Sequence, residues 1–377
     1  MQLNTRGIPY YINKPLVARV TRNQDIDEEG NILITGDSAI HYLPKFSALL
    51  TGLPIAQLIP DKPAVYNVLS LDHLQEGDIV AINTDGIIQT LYRPGSKQNF
   101  LLFTERCNSN CLMCSQPPKN KNDGDYFYNI YSQLIPLLPT DCEEIGITGG
   151  EPTLLGDLFF QLLDQLKNHL PDTEIHCLSN GRTFAWREMT EQIASLNYER
   201  LMFGIPVYSD HAASHDYIVQ AKGAFNQTMQ GLYNLAAIGQ RLEIRVVLHK
   251  QTIPRLKKLA HYIYRNLPFA SHVAFMGLEN QGYTPHNIDK LWIDPDDYMN
   301  ELTEAAEYLD QMGMNVSIYN SQLCVMPERL WRFNRKSISD WKNIYLEKCA
   351  GCRLLNDCGG LFASCSEQHS KAIKPFL

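Results

Sequence analysis

The sequence predicts an α/β fold in which six parallel strands, with helices between them, form an open, partial barrel. Short apolar runs alternate with amphipathic segments between residues 98 and 320, which is the pattern of βαβ units. The chain has 377 residues, 44% of them hydrophobic, so it can bury a large core. Glycine and polar residues follow several apolar runs, where parallel α/β folds gather functional groups. A flat, doubly wound sheet is the alternative arrangement.

The same alternation of apolar runs and amphipathic segments predicts each element of this fold. The predicted strands are 99–104, 144–148, 174–179, 201–208, 242–248 and 272–278. Amphipathic segments between them predict helices over 158–170, 189–196, 225–238 and 255–266.

Three regions follow one another along the chain. Residues 1–97 hold short β-like runs broken by Gly, Asp and Pro, and predict a small β-rich accessory domain with one short helix at 43–53. Residues 98–320 form the predicted barrel. Residues 321–377 have weak periodicity but carry five of the ten cysteines, so we expect a cysteine-rich extension.

Charge and composition narrow the functional classes. The net charge of −8 and the pI near 5.8 do not indicate a basic face for nucleic acid. No run approaches the roughly 18 apolar residues of a membrane span, and the N-terminus lacks the apolar stretch of a secretory signal. We therefore expect a cytoplasmic protein. Because the cytosol keeps thiols reduced, clustered cysteines there indicate metal ligands rather than disulfides.

The first cysteine cluster is a C-x3-C-x2-C loop formed by Cys107, Cys111 and Cys114. A [4Fe–4S] cluster normally takes four cysteines, so three leave one iron without a protein ligand. That open position can chelate an amine and a carboxylate, which S-adenosylmethionine (SAM) offers on its methionine end. The alternative is a zinc site, although zinc usually takes four ligands and no fourth lies nearby in the sequence.

Further polar groups follow the second and third predicted strands. The second strand ends in TGGEP, where Gly149 and Gly150 allow close approach of the backbone to a ligand and Glu151 can accept a hydrogen bond from an ammonium group. The third ends in Ser179 and Asn180, which suit a ribose or a carboxylate. The alternative for TGGEP is a tight turn without a ligand. The alternative for Asn180 is an N-cap of the following helix.

The next two strands carry weaker signals. His211, His215 and Asp216 follow the fourth strand and are candidates for substrate contact, or belong to a solvated loop. Arg245 interrupts the apolar fifth strand and needs a partner, because an unpaired buried charge is costly. A SAM carboxylate and an internal salt bridge are the two possibilities. Cys142 lies in or beside an apolar run, as does Cys177, and both are expected to be buried core thiols.

The second cysteine cluster lies near the C-terminus. Cys349, Cys352 and Cys358 are spaced C-x2-C-x5-C, and Cys324 completes a set of four. Four thiolates would close the coordination of a [4Fe–4S] cluster. Cys365 competes for the fourth place, and a structural zinc site is the alternative.

The cysteine loop and the TGGEP turn together resemble the radical SAM superfamily. The resemblance implies that a reduced [4Fe–4S] cluster cleaves SAM to a 5′-deoxyadenosyl radical, which abstracts hydrogen from a substrate. By position, Glu151 would contact the SAM amino group and Met113 would lie near the adenine, unless it simply packs inward. The C-terminal spacing resembles the SPASM and twitch extensions, but Phe362 stands where a further cysteine is usual, so we expect one auxiliary [4Fe–4S] cluster.

A finer resemblance is to the His-Xaa-Ser system radical SAM maturases, specifically their C component. It rests on four stretches: residues 92–118, LCVMPERLW (323–331), KSISDWKN (336–343) and CGGLF (358–362). It implies a ribosomally made precursor peptide as substrate, modified or cross-linked, and a second radical SAM maturase as a possible partner. Family analogy adds an electron donor such as flavodoxin or ferredoxin. No catalytic acid or base stands out. A small metabolite or nucleic acid as substrate, and a non-catalytic iron–sulfur or zinc protein, are the competing hypotheses.

Overall fold

The structure is a computed structural model that describes residues 3–25, 30–36, 46–54, 62–336 and 342–377. The chain forms two compact units. The first comprises Met1–Phe103, Gly124–Ile145 and Gln161–Thr173, and the second comprises Thr104–Asp123, Gly146–Phe160 and Glu174–Leu377. Among the described residues, no helix has the length and apolar character needed to cross a bilayer.

Among the described residues of the N-terminal region, eight strands form one sheet, which confirms the predicted β-rich character. Its strands are β1 (Asn4–Arg6), β2 (Ile8–Tyr10), β3 (Leu16–Thr21), β4 (Ile32–Ile34), β5 (Ala48–Leu50), β6 (Ala64–Tyr66), β7 (Ile79–Ile82) and β8 (Ile87–Tyr92). The strand order is β1-β8-β7-β3-β4-β5-β6-β2. Pairs from β3 to β6 are parallel, whereas β7 pairs antiparallel with both β3 and β8.

The helix predicted over residues 43–53 is wrong where the structure can be compared with it. Residues 46–53 contain the strand β5, and residues 43–45 lie outside the described residues. All three residues of β5 are buried, because parallel neighbours flank it and its two faces are both covered. A short apolar run of this kind cannot be distinguished from a buried helix by periodicity alone.

A second eight-stranded sheet follows. Its strands are β9 (Asn99–Leu102), β10 (Glu144–Thr148), β11 (Glu174–Leu178), β12 (Leu201–Pro206), β13 (Arg241–Val247), β14 (His272–Met276), β15 (Val316–Tyr319) and β16 (Asn334–Arg335). They lie side by side in chain order, and the neighbouring pairs from β11 to β16 are parallel. Doubly wound sheets reverse their strand order at a switch point. An unreversed order is typical of a barrel, as predicted.

Helices connect these strands, and the four predicted helices are present. The helices are α1 (Gly124–Leu134), α2 (Asp157–His169), α3 (Arg187–Leu196), α4 (Ala212–Val219), α5 (Ala224–Ala237), α6 (Leu256–Asn266), α7 (Ile288–Leu291) and α8 (Met299–Gln311). The six predicted strands correspond to β9–β14, and the sheet continues with β15 and β16. In the cysteine-rich C-terminal segment, β17 (Asn343–Ile344) pairs antiparallel with β18 (Leu361–Phe362).

Candidate active site and the C-terminal cysteine pocket

The first cysteine loop lies within residues 104–123, directly after β9. Asp123 closes the base of the loop, because its carboxylate accepts hydrogen bonds from Thr104 Oγ1 at 2.6 Å and from the Glu105 backbone N–H at 2.8 Å. The Lys119 N–H donates to the Glu105 carbonyl at 2.8 Å. The ends of the loop are thus held together, and the cysteines lie on the segment between them.

All three loop cysteines are free, partly buried thiols. Burial raises the pKa of Cys107 to about 11, with the Glu151 carboxylate adding to the effect. Burial also raises the pKa of Cys111, where the neighbouring Cys114 and Cys107 contribute further. A bound cation would favour the thiolate forms of these cysteines. An iron–sulfur cluster has this effect, since it coordinates thiolates.

The Gly-Gly-Glu turn after β10 lies directly against this loop. The Gly150 N–H donates to the Thr104 carbonyl at 2.8 Å, and the Glu151 N–H donates to the Arg106 carbonyl at 2.7 Å. A Cβ atom on Gly149 would lie 2.6 Å from the Thr104 oxygen, and one on Gly150 would overlap the Arg106 carbonyl. Both glycines are therefore required by the close approach of two backbones.

The Glu151 side chain joins this turn to the turn after β11. It is fully buried, and its carboxylate accepts hydrogen bonds from Thr153 Oγ1 at 2.6 Å, Ser179 Oγ at 2.8 Å and the Asn180 N–H at 2.7 Å. Burial raises the pKa of Glu151, and these hydrogen bonds oppose the shift. Glu151 and Ser179 thus position the two turns. Contact of Glu151 with a SAM ammonium stays a prediction.

The Asn180 side chain faces the cysteine loop. Its Nδ2 donates to Asn108 Oδ1 at 2.6 Å and lies 3.8 Å from Cys107 Sγ, within the longer range of hydrogen bonds to sulfur. Its Oδ1 accepts a hydrogen bond from the Arg182 N–H at 3.0 Å. The two predicted turns and the cysteine loop therefore meet at one place.

Arg182 also belongs to this site, although no sequence pattern predicts it. Its guanidinium donates to the Asn108 carbonyl and to Ser109 Oγ, the latter at 3.0 Å, while Nε donates to Gln227 Oε1 at 2.8 Å. It therefore anchors the cysteine loop to α5. Its position directly after the Ser-Asn-Gly turn is the one sequence feature that points to a role in this site.

Residues 101–263 match the family model of the Radical SAM superfamily. The structure titled native anSMEcpe with bound AdoMet (another abbreviation of SAM) resembles this chain with a TM-score of 0.52 at 14% identity, covering 73% of this chain and 92% of that one. This likeness shows the fold alone. Residues 101–263 are therefore similar to a radical SAM domain.

Two curated relatives match less than half of the chain. An uncharacterised protein of Methanocaldococcus jannaschii is 26% identical over 174 residues, which cover 45% of this chain and 59% of that protein. The AdoMet-dependent heme synthase of Nitratidesulfovibrio vulgaris is 25% identical over 173 residues, 45% of each chain. The chain thus spans about half the length of these relatives. The radical SAM match implies a [4Fe–4S] cluster and SAM as cofactors.

Met113 lies in an apolar cluster beside the cysteine loop. It is buried and packs with Leu112, Tyr208, Ile218 and Val219. This position agrees with inward packing, and contact with adenine stays a prediction.

The residues expected at the end of the fourth strand mostly serve the local structure. His215 is buried and accepts a hydrogen bond from the Tyr208 N–H at 3.3 Å, and burial lowers its pKa to about 4, so its imidazole is neutral at pH 7. The Asp216 carboxylate accepts hydrogen bonds from backbone N–H groups at the start of α5, including that of Phe225 at 2.8 Å. His211 contacts Ser214 at 3.1 Å. Their contact with substrate stays a prediction.

Arg245 belongs to a polar network that runs across strands of the second sheet. Its Nη1 lies 2.7 Å from Glu243 Oε1, the internal partner that was one of the two expected. Glu243 also contacts His272 Nδ1 at 2.7 Å and His176 Nε2 at 3.4 Å, and His272 Nε2 contacts Ser317 Oγ at 2.9 Å. Burial opposes ionisation of Glu243, but hydrogen bonds from the histidines and the charge of Arg245 hold its pKa well below its usual range.

The second cysteine cluster converges on one pocket in the C-terminal segment. Cys324, Cys349, Cys352 and Cys358 all line it, and Tyr345 donates a hydrogen bond to the Cys358 carbonyl at 3.0 Å. The remaining walls are largely apolar and include Leu323, Leu354, Leu355, Leu361, Ile373 and Phe376. Four thiols in an apolar enclosure are a donor set that fits a coordinatively closed cluster.

The other cysteines lie elsewhere. Cys365 is buried, donates to the Leu278 carbonyl at 3.3 Å and lines a different cavity. Cys177 is fully buried as expected, whereas Cys142 is only partly buried and contacts Thr173, so its predicted core position is wrong. Among the described residues, no three His, Cys, Asp or Glu side chains are close enough to hold a single metal ion. In a cubane cluster, by contrast, each cysteine binds its own iron.

Proposed function

We propose that this chain is a radical SAM enzyme that abstracts hydrogen from a ribosomally made peptide of the His-Xaa-Ser type in order to modify or cross-link it. One observation supports the assignment of radical SAM chemistry. Within the matched segment, the glycines at 149 and 150 bring a backbone turn against the loop of Cys107, Cys111 and Cys114. The turn thus lies beside the three cysteines, as binding of SAM at the open iron would require.

Each residue of the site would have a distinct role. Cys107, Cys111 and Cys114 would hold a [4Fe–4S] cluster that leaves one iron open. When bound and reduced, that cluster supplies the electron that cleaves SAM. Asn180 directs its amide toward Cys107 Sγ, and Arg182 fixes the loop that carries the cysteines.

The remaining candidate residues would line the SAM site. We propose that the Gly149–Glu151 turn binds the amino group of SAM and that Ser179 contacts its ribose or carboxylate. Met113 would approach the adenine from the apolar cluster that it shares with Tyr208. Arg245 keeps N–H groups beyond the one given to Glu243, so its guanidinium could also receive a carboxylate.

We further propose one auxiliary [4Fe–4S] cluster, held by Cys324, Cys349, Cys352 and Cys358. The shared pocket of these four thiols supports Cys324 as the fourth ligand in preference to Cys365. Because four ligands leave no open iron, this cluster would serve structure or electron relay and would not cleave SAM.

The peptide substrate rests on the sequence resemblance to the His-Xaa-Ser maturases and on the acidic net charge, which does not favour nucleic acid. One of the four resembling stretches, KSISDWKN, lies largely outside the described residues. We propose a second radical SAM maturase and a flavodoxin or ferredoxin as partners, a cytoplasmic setting, and a domain division at 1–97, 98–320 and 321–377.

A second candidate is a radical SAM enzyme on a small metabolite. It is favoured by the likeness to a relative named as a heme synthase, which extends over 45% of this chain. Incubation of the reconstituted protein with SAM, dithionite, a precursor peptide and a tetrapyrrole, read by mass spectrometry, separates the two. A peptide mass change that increases with 5′-deoxyadenosine supports the maturase, whereas 5′-deoxyadenosine with an unchanged peptide and a converted tetrapyrrole supports the second candidate.

A further inference from the structure

Residues 371–376, here called the strap, lie against the pocket of the four C-terminal cysteines. Ile373 and Phe376 line that pocket together with the thiols. Ile373 is only 3% exposed, although it belongs to no helix or strand. The strap starts from a fixed point, because the Lys371 backbone N–H donates to the Asp294 carboxylate at 3.1 Å. Side-chain burial and a backbone hydrogen bond therefore hold the strap in place.

Phe376 connects the far end of the strap to both segments that carry the cysteines. Its carbonyl accepts a hydrogen bond at 2.7 Å from the N–H of Arg353, which belongs to the C-x2-C-x5-C segment. Its ring packs edge-to-face on the ring of Trp331, with the two centroids 5.7 Å apart. Trp331 Nε1 in turn donates to the Leu323 carbonyl at 3.0 Å, one residue before Cys324. Phe376 therefore links the segment of Cys324 to the segment of the other three thiols.

The properties of a cluster in this pocket would depend on how well the pocket excludes water. A [4Fe–4S] cluster on four thiolates carries a net negative charge, and reduction adds one more. Apolar surroundings disfavour the more highly charged form, so they lower the reduction potential, and they also limit the access of solvent and oxygen. The strap contributes three apolar residues to the wall of this pocket, which are Ile373, Pro375 and Phe376.

We propose that the strap is a cover that shields the auxiliary cluster from solvent, and that the ring of Phe376 keeps this cover closed. The closed strap holds the reduction potential of the cluster low and slows the loss of the cluster in air. This inference rests on the proposed auxiliary cluster and adds to it a positioning residue outside the four ligands. Phe376 acts through the strap and through Trp331, since it is not itself a ligand.

The test compares variants of the reconstituted full chain. Phe376→Ala removes the ring contact with Trp331 but keeps the backbone carbonyl that binds Arg353. Phe376→Leu keeps an apolar side chain without the aromatic pair. The matched control is Leu377→Ala, which truncates the next side chain, one that is 79% exposed. Redox titration followed by electron paramagnetic resonance measures the potential of each cluster, and iron content over time in air measures the loss of each cluster.

We expect Phe376→Ala to raise the potential of the auxiliary cluster and to speed its loss in air about two- to tenfold, the effect of one lost aromatic pair on the opening of the strap. Phe376→Leu should lie between this variant and the wild type, and Leu377→Ala should match the wild type. The SAM cluster of the same molecules is the internal reference and should keep its potential.

Two results overturn the inference while leaving the auxiliary cluster in place. One is an equal potential and an equal rate of loss in Phe376→Ala and Leu377→Ala. The other is an equal shift in both clusters of Phe376→Ala, because a general loss of structure would then be the cause. A wild type that binds about four irons instead of about eight overturns the proposed auxiliary cluster itself, and the inference with it.

Discussion

The two cysteine sites of this chain differ in what surrounds the thiols. Cys107, Cys111 and Cys114 lie on a loop that polar and charged side chains hold in place, with Asn180 and Arg182 nearest to them. The four C-terminal cysteines line a pocket whose other walls are mostly apolar. Three thiols near orienting groups suit a reactive centre with one open iron, and four enclosed thiols suit a closed one.

This contrast teaches that cysteine number alone does not assign a role. The loop depends on the fold, because backbone turns after β10 and β11 meet it and hold its shape. The pocket depends on its own segment, where Tyr345 and the short strand pair β17–β18 contribute the local structure. Substitutions at one cysteine site should therefore leave the other site largely intact.

The largest change in cluster content is expected from Cys324→Ser. We expect this variant to lose the whole C-terminal cluster, about four of about eight irons, because a fourth ligand is missing from a closed site. The matched control is Cys365→Ser, which should keep all the iron, since Cys365 lines another cavity. Iron and sulfide are counted after anaerobic reconstitution. Iron loss in Cys365→Ser with full iron in Cys324→Ser would reverse the assignment of the fourth ligand.

Gly150→Ala should damage the loop site specifically. The added methyl group would overlap the Arg106 carbonyl and approach Cys107 Cβ to 3.1 Å, so the loop must move. Displacement of reacting groups by about 1 Å can cost about a hundredfold in rate, and we expect at least that loss of 5′-deoxyadenosine formation.

The matched control is Gly36→Ala, because a Cβ at Gly36 meets nothing within 4 Å. It should retain the wild-type rate. The C-terminal cluster, followed by its iron content, should survive in both glycine variants. A Gly150→Ala protein with wild-type turnover would show that the turn and the loop do not need this close approach.

Arg182→Ala should have a smaller effect at the same site. It removes the hydrogen bonds to the Asn108 carbonyl and Ser109 Oγ that anchor the cysteine loop. Charge-assisted hydrogen bonds contribute about 1.5–3 kcal/mol, so we expect at least about a tenfold fall in the rate of SAM cleavage. Arg187→Ala, an exposed arginine at the start of α3, is the control and should not change the rate. Equal rates in the two variants would remove Arg182 from the site.

Asn180→Ala should give the smallest change. Its Nδ2 lies 3.8 Å from Cys107 Sγ, and a hydrogen bond to a thiolate stabilises the added negative charge of a reduced cluster. Without it, we expect the SAM cluster to be harder to reduce and turnover to fall about two- to tenfold. Redox titration followed by electron paramagnetic resonance measures this. The auxiliary cluster is the internal reference, and an equal shift in both clusters would contradict a local effect.

The sequence predicted the repeating core well because each βαβ unit carries its own pattern. The run EIGIT was predicted and found at 144–148, and the cysteine loop, TGGEP and Ser179–Asn180 all proved to lie at strand ends. The pattern does not distinguish the short strand β5 from a helix, because three consecutive buried residues show no hydrophobic periodicity.

The spacing of residues along the sequence does not predict contacts between distant segments. Arg182 reaches Asn108 across more than seventy residues, and Glu243 binds side chains from strands on both sides of it. In each case the partner is supplied by the packing of the sheet rather than by a neighbour in the chain.

The most direct measurement is the iron content and SAM turnover of the wild type beside a variant with Cys107, Cys111 and Cys114 all changed to alanine. After anaerobic reconstitution we predict about eight irons in the wild type and about four in the variant. With SAM and dithionite, only the wild type should form 5′-deoxyadenosine. A fully loaded and reducible wild type that forms none, with candidate peptides present, would contradict the radical SAM account and favour an electron carrier or scaffold.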